Sequence, residues 1–259
     1  KQAPYASSLA KRMSSLEHLL IVDIDNTLVG DNESLNELKQ ILVDQRDRLG
    51  FGVATGRDLD STKEILQEHG LELPDIMITS VGTEIYYGSA EVYDKGWARY
   101  IKRRWQSDAV RDVLDKFDEV SLQGYPGSQR PYKVSYYVKE DAYSSDLVER
   151  IQNVLDEAKL AVQLVFSHES LLDGLPYRAS KGSAVKFIGW KWQIDLNRII
   201  TAGDSGNDRE MLMGPMKGVV VANHEDAMKD LRKARRVYFA KEGHAAGIID
   251  GLRHYKVIS

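Results

Sequence analysis

The chain has 259 residues, 42% of them hydrophobic and 29% charged, an ordinary globular composition with room for one large domain or two modest ones. A net charge of −4 argues against a general affinity for nucleic acid or anionic lipid, and no apolar run approaches the ~18 residues needed to cross a bilayer. With no cysteine there is no disulfide, thiol nucleophile or thiolate metal site, which suits the cytoplasm.

The opening KQAPYASSLAKRM is basic, rich in Ser and Ala and free of acids, as a transit peptide would be, but it lacks a secretory apolar core. It reads as a linker, and the chain as a domain taken from something longer. Strand-like runs are predicted at 19–25, 51–55, 75–81, 198–204, 217–223 and 237–240. Helical patterns fall between most of them, at 33–48, 59–69, 180–190, 208–213, 225–234 and 245–254. Strands alternating with helices of this length imply right-handed βαβ units and a parallel sheet, hence an α/β fold of Rossmann-like type.

The rhythm breaks from about residue 91. A helix carrying Trp97, Ile101 and Trp105 is continued by Val110, Val113, Leu114 and Phe117, and is followed by the strand PYKVSYYV, a helix over 145–159 and a strand over 161–166. The expected division is a core of residues 1–90 and 175–259 with an inserted α+β cap of residues 91–174, leaving between the third and fourth parallel strands. Trp97 and Trp105 are assigned to the core of that cap.

Four segments fall at carboxyl strand ends, where open α/β sheets bind ligands. They are Asp23-Ile24-Asp25-Asn26-Thr27, Ala54-Thr55-Gly56-Arg57, Ala179-Ser180-Lys181-Gly182 and Gly203-Asp204-Ser205-Gly206-Asn207-Asp208. Alternation along a strand points Asp23 and Asp25 the same way. Two such carboxylates repel by about 4 kcal/mol at ~4 Å in an effective dielectric of ~20, so a cation or a shared proton must offset them. Magnesium prefers oxygen ligands and keeps several waters, so Asp23, Asp204 and the Asp25 carbonyl suffice, with Asp208 one helical turn away. Thr55 and Lys181 would then bind phosphate oxygens, as would the Gly206 and Asn207 amides at a helix start. Asp23 is left to attack phosphorus, and the Asp25 side chain to exchange a proton. Alone, D-x-D-x-T is also an Asx turn after a strand, and Asp208 a first-turn acid favoured by the helix dipole. Four such segments in this order select a site.

This ordered set resembles the haloacid dehalogenase (HAD) superfamily of aspartate-nucleophile phosphatases, whose four motifs match DIDNT, the Thr55 turn, Lys181 and GDSGND. The resemblance implies an aspartyl-phosphate on Asp23, with Asp25 protonating the leaving alcohol and then activating water. It also implies magnesium held by Asp23, Asp204 and the Asp25 carbonyl, with Asp208 in support. The segments ATGRDLDS, SVGTEIYY, QRPYKVSYYV, LPYRASKG and HAAGII are similar to sucrose-phosphate phosphatases and to the phosphatase-like domain of some sucrose-phosphate synthases. Leu28 departs from that family, in which many members carry Trp.

The closer resemblance implies hydrolysis of sucrose 6-phosphate, with Lys133 and Ser135 as sugar contacts on one face of their strand and Glu84 accepting from a sugar ring. Gly56, Arg57 and Asn207 join Thr55 and Lys181 as substrate contacts, while Arg57 and Arg178 either meet phosphate or pair with nearby acids. Alternatives are a phosphatase for another disaccharide phosphate, such as that of mannosylfructose, trehalose or mannosylglycerate, and a non-catalytic product-binding domain. Association with, or fusion to, a sucrose-phosphate synthase glycosyltransferase is the expected partnership. Lys102, Arg103 and Arg104 read as a solvated helix face, His244 as a turn residue before a helix, and His18, His69, His168, His224 and His254 as outside any metal-ligand spacing.

Overall fold

The computed structural model describes residues 2–140, 142, 144–167 and 170–259. The first stretch of chain forms α1 (Gln2–Ser15), β1 (His18–Val22), α2 (Asn32–Asp44), β2 (Leu49–Ala54), α3 (Leu59–Glu68), β3 (Ile76–Thr79), β4 (Glu84–Tyr87) and β5 (Val92–Tyr93). Then come α4 (Lys95–Ile101), α5 (Ser107–Leu114), β6 (Val120–Leu122), β7 (Val134–Val138), α6 (Ser145–Glu157), β8 (Val162–Ser167) and β9 (Leu171–Pro176). The chain ends with α7 (Lys181–Trp192), β10 (Ile199–Gly203), α8 (Arg209–Leu212), β11 (Lys217–Val220), β12 (Val237–Phe239) and α9 (His244–His254).

Among the described residues the strands form two sheets, one of eight strands in the order β12-β11-β10-β1-β2-β3-β4-β5 and one of four in the order β6-β7-β9-β8. From β12 to β3 every pairing in the large sheet is parallel, and β4 and β5 extend it as antiparallel edge strands. Strand β1 lies between β10 and β2, so the strand order reverses there and opens a crevice at the carboxyl ends.

The alternation of β1 explains the three layers. Leu19 and Ile21 point into a core shared with α1, α7 and α8, while Leu20 and Val22 point into one shared with α2, α3 and α9. All four are fully buried, each worth roughly 1.5–3 kcal/mol. In the smaller antiparallel sheet, Val134, Tyr136 and Leu172 face α5 and α6 in a separate apolar cluster. The opposite face of that sheet, with Ser135 and Asp173 in register, looks toward the crevice.

Several expectations are corrected. The opening residues are helix α1 rather than linker: Leu9 and Met13 join the core, and Arg12 forks onto Asp75. The single helix expected from Trp97 onward is two, because Arg104 adopts a left-handed φ of 63° between them. Trp97 and Ile101 pack in the core of the large sheet, where Trp97 meets Phe187 and donates to the Gly82 carbonyl. Only Trp105 packs against the smaller sheet's cluster. The smaller sheet does lie between the third and fourth parallel strands, β3 and β10, but the chain first adds β4 and β5 to the large sheet as antiparallel edge strands. Residues 225–234 contain 3-10 turns rather than an α-helix.

Candidate active site

The site is assembled from strand ends and the loops that follow them. Asp23 is the first residue after β1, and its amide donates to the Ala202 carbonyl at 2.9 Å, continuing the ladder with β10 by one step. Strand β1 ends at Val22, so Asp25 reaches the cavity through the turn after the strand, not by strand alternation. That turn closes with Asn26 at φ 58°. Lys181 opens α7, whose N-cap Ser180 accepts from the Ser183 amide at 2.9 Å. Gly82 and Gly182 let backbone press close on either side: a Cβ on Gly82 would overlap Ser180, and one on Gly182 would overlap Glu210.

The Lys181 ammonium is fully buried and donates to Asp23 Oδ1 at 2.6 Å and Asp208 Oδ1 at 2.7 Å. The other oxygen of Asp208 accepts the amides of Asp204 and Ser205 at 3.0 and 3.1 Å, and Asp204 accepts from Thr27 Oγ1 at 2.9 Å. Burial lifts the Asp23 carboxyl well above its usual range; Asp208 and Asp204 push the same way, while Lys181 works against them. Burial disfavours the charge on Lys181, but Asp208 and Asp23 outweigh it and raise its proton affinity.

Asp23, Asp204 and Asp208 each offer a carboxylate oxygen within 4.8 Å of the others, all three side chains buried. At that spacing, in an effective dielectric of ~20, each pair repels by roughly 3–4 kcal/mol. An all-oxygen donor set of this kind suits a hard divalent cation.

Above this floor lies a cavity of about 730 Å³, roofed by the smaller sheet. Asp23, Asp25, Asn26, Gly56, Arg57 and Asn207 line it from the large-sheet side, and Gln123, Lys133 and Asp173 from the other. Thr55 is buried beneath, its Oγ1 accepting the Arg57 amide at 3.1 Å. Two glycines bring the units together: a Cβ on Gly127 would overlap Asp58, and one on Gly206 would stand 2.5 Å from the Phe166 carbonyl.

Other expected residues find partners of their own. Arg57 forks onto Asp25, Nε to Oδ2 at 2.9 Å and Nη2 to Oδ1 at 2.7 Å. Glu84 does not line the cavity; its Oε1 takes a fork from Arg130 at 2.9 and 2.8 Å, and Oε2 accepts from Thr79, Ser80 and Tyr86. Ser135 donates to Asp173 Oδ1 at 2.5 Å, and Lys133 stands 3.8 Å from the same oxygen. Among the described residues Arg178 meets neither phosphate-side residues nor an acid: it packs on the rings of Tyr100 and Tyr177 and donates to the Tyr177 hydroxyl. Lys102, Arg103 and Arg104 are exposed. His244 is the first residue of α9 and donates its amide to Asn223, and His168 lies outside the described residues. Asp173 and Arg130 were not singled out from sequence. A signal for Asp173 exists in LLDGLP, where it shares a strand face with Leu171.

A parallel sheet carrying acids at its crevice and a second sheet above it defines the haloacid dehalogenase class of fold. The Bacillus subtilis haloacid dehalogenase-like hydrolase yhjK superposes with a TM-score of 0.67 over 98% of this chain and all of that one, at 18% identity. The sucrose-phosphatase of Synechocystis, solved with sucrose and phosphate, superposes with a TM-score of 0.88 at 32% identity, covering 93% of this chain and 98% of that one. Tobacco (Nicotiana tabacum) sucrose-phosphatase 2 is 35% identical over 94% of this chain, which spans 60% of that relative's length. The chain belongs to the sucrose-6F-phosphate phosphohydrolase family, whose match runs over residues 16–256. Among the described residues no helix is long and apolar enough to cross a membrane.

Proposed function

We propose that the chain is a magnesium-dependent phosphatase that hydrolyses sucrose 6-phosphate to sucrose and phosphate. The observation that carries this reading is the buried contact of Asp23, Lys181 and Asp208 beside Asp204, at the floor of a cavity that a second sheet covers. Family membership supports the substrate. The cavity volume falls within the ~300–1,000 Å³ common for small-molecule sites.

In the first step an Asp23 oxygen attacks phosphorus, the bond from phosphorus to the sugar oxygen breaks, and Asp25 gives its proton to that oxygen. In the second step Asp25 takes a proton from water, whose oxygen attacks the same phosphorus and frees Asp23 and phosphate. Thr55, Lys181 and the Asn207 amide hold the phosphoryl oxygens and lower the barrier by meeting the charge that develops there. Asp23, Asp204 and the Asp25 carbonyl would hold the magnesium, with Asp208 in support; when bound it neutralises acids and phosphate together. Within residues 91–174, the part built on the smaller sheet acts as the cap that excludes water and presents Lys133 to the sugar. Here Ser135 acts by orienting Asp173, which itself faces the cavity.

As a partner we propose the glycosyltransferase that makes the sugar phosphate, a sucrose-phosphate synthase, acting with this chain in the cytoplasm. Phosphate release is to be measured on sucrose 6-phosphate, with magnesium and with a chelator, beside mannosylfructose, trehalose and mannosylglycerate phosphates. Magnesium-dependent release fastest from sucrose 6-phosphate is expected. Faster release from another sugar reassigns the substrate, and binding without release on any of them makes the chain a product-binding module.

A further inference from the structure

Of the two roles expected of Arg57, contact with phosphate or pairing with a nearby acid, the structure shows the second, and the acid is Asp25 itself. Both oxygens of Asp25 are taken by one guanidinium, and both side chains, each about a third exposed, line the cavity. Arg57 is held at three further points. Its Nη1 donates to Ser61 Oγ at 2.9 Å, its amide donates to Thr55 Oγ1, and its carbonyl accepts the Ser80 amide at 2.7 Å. Ser80 and Val81 both sit in the left-handed region, at φ 52° and 58°. For a β-branched residue such as Val81 this is uncommon and costs about 1–2 kcal/mol. The strained turn places the Ser80 amide on the Arg57 carbonyl and the Val81 amide on the Thr55 carbonyl. Strain retained beside a reactive centre marks a geometry that its surroundings over-determine.

We infer that Arg57 is a positioning residue, which aims the Asp25 carboxyl at the oxygen of the departing sugar rather than acting chiefly on phosphate. A planar guanidinium matches a carboxylate at two points, so it fixes rotation as well as distance; a lysine matches at one. When Asp25 carries the proton on one oxygen, a single remaining bond from Arg57 keeps the other in place. This role rests on the phosphatase reading above.

The test uses leaving groups. An alkyl phosphate expels a sugar oxygen that must be protonated as it departs, whereas p-nitrophenyl phosphate expels a stable phenolate that needs no proton. The quantity to compare is kcat/KM, which reports steps only up to departure of the leaving group and leaves out the hydrolysis common to both substrates. Arg57→Lys is expected to lose at least about tenfold more on sucrose 6-phosphate than on p-nitrophenyl phosphate, and Asp25→Asn to show the same selectivity. In the Asp25→Asn background, Arg57→Lys should add no further selective loss. Residual turnover of p-nitrophenyl phosphate reports that each variant is folded. Equal losses on the two substrates, or a selective loss that persists without the Asp25 carboxyl, would overturn the inference. If the unaltered protein accepts p-nitrophenyl phosphate and another sugar phosphate but not sucrose 6-phosphate, the substrate assignment fails alone. The Arg57 comparison then runs on the sugar it accepts.

Discussion

At the floor of the cavity Asp23, Lys181 and Asp208 are buried in mutual contact, each pinned by strand ends or a helix start of the large sheet. At its roof Lys133, Ser135 and Asp173 come from two antiparallel strands of the smaller sheet, tied mainly to one another. The floor thus combines high charge density with backbone rigidity. The roof has fewer charges and an apolar core of its own. Under the proposed phosphatase reading the phosphoryl group is common to every substrate and the group it leaves differs, which assigns the chemistry to the floor and the choice of sugar to the roof.

This contrast can be broken most directly at Asp23. Asp23→Asn is expected to lower turnover by roughly 10⁴–10⁶-fold while circular dichroism stays unchanged, and near-normal turnover would remove the nucleophile from the floor. Lys181→Met leaves two buried carboxylates without their cation and should cost about 3–5 kcal/mol of stability, read by urea unfolding. Adding magnesium at ~100 times its dissociation constant should stabilise the protein by about 2.7 kcal/mol, reversed by a chelator; an unmoved Tm would deny that the acids form a cation site.

The roof should respond differently. Lys133→Met is expected to raise KM for sucrose 6-phosphate roughly 10- to 100-fold, the range for losing a charged contact, with a much smaller change on p-nitrophenyl phosphate. Equal effects on both substrates would erase the division between floor and roof. The smallest effect is expected at the seam. In Gly127→Ala the new methyl overlaps Asp58 at a backbone φ of +83°, so the roof seats less closely. Sugar phosphate turnover should fall about tenfold, by an interaction worth about 1.4 kcal/mol, and the left-handed alanine should cost about 1 kcal/mol of stability, read as a Tm lower by a few degrees.

Much of the large sheet was legible in sequence because its strands are buried on both faces and read as continuous Leu, Ile and Val runs. Helix α1 was not: its sequence is polar and rich in Ser and Ala, and it is held by a few contacts such as Leu9, Met13 and Arg12. Strands β4, β5, β6 and β9 were missed because they are short, or because Asp173, Gly174 and Pro176 interrupt the apolar pattern. Trp97 showed the right helical spacing but the wrong core, since periodicity reports which face of a helix is buried and not what covers it.

From sequence alone came the four strand-end segments and their order, because a parallel sheet brings the carboxyl ends of its strands together whatever lies between them. Strand ends do not reveal which charge answers which. Arg57 could be placed beside the cavity, but its fork on Asp25, the pairing of Glu84 with Arg130 and the meeting of Ser135 with Asp173 were decided only in three dimensions. Those pairings depend on strand register, loop conformation and the seating of one sheet over another, none of which leaves a local pattern along the chain.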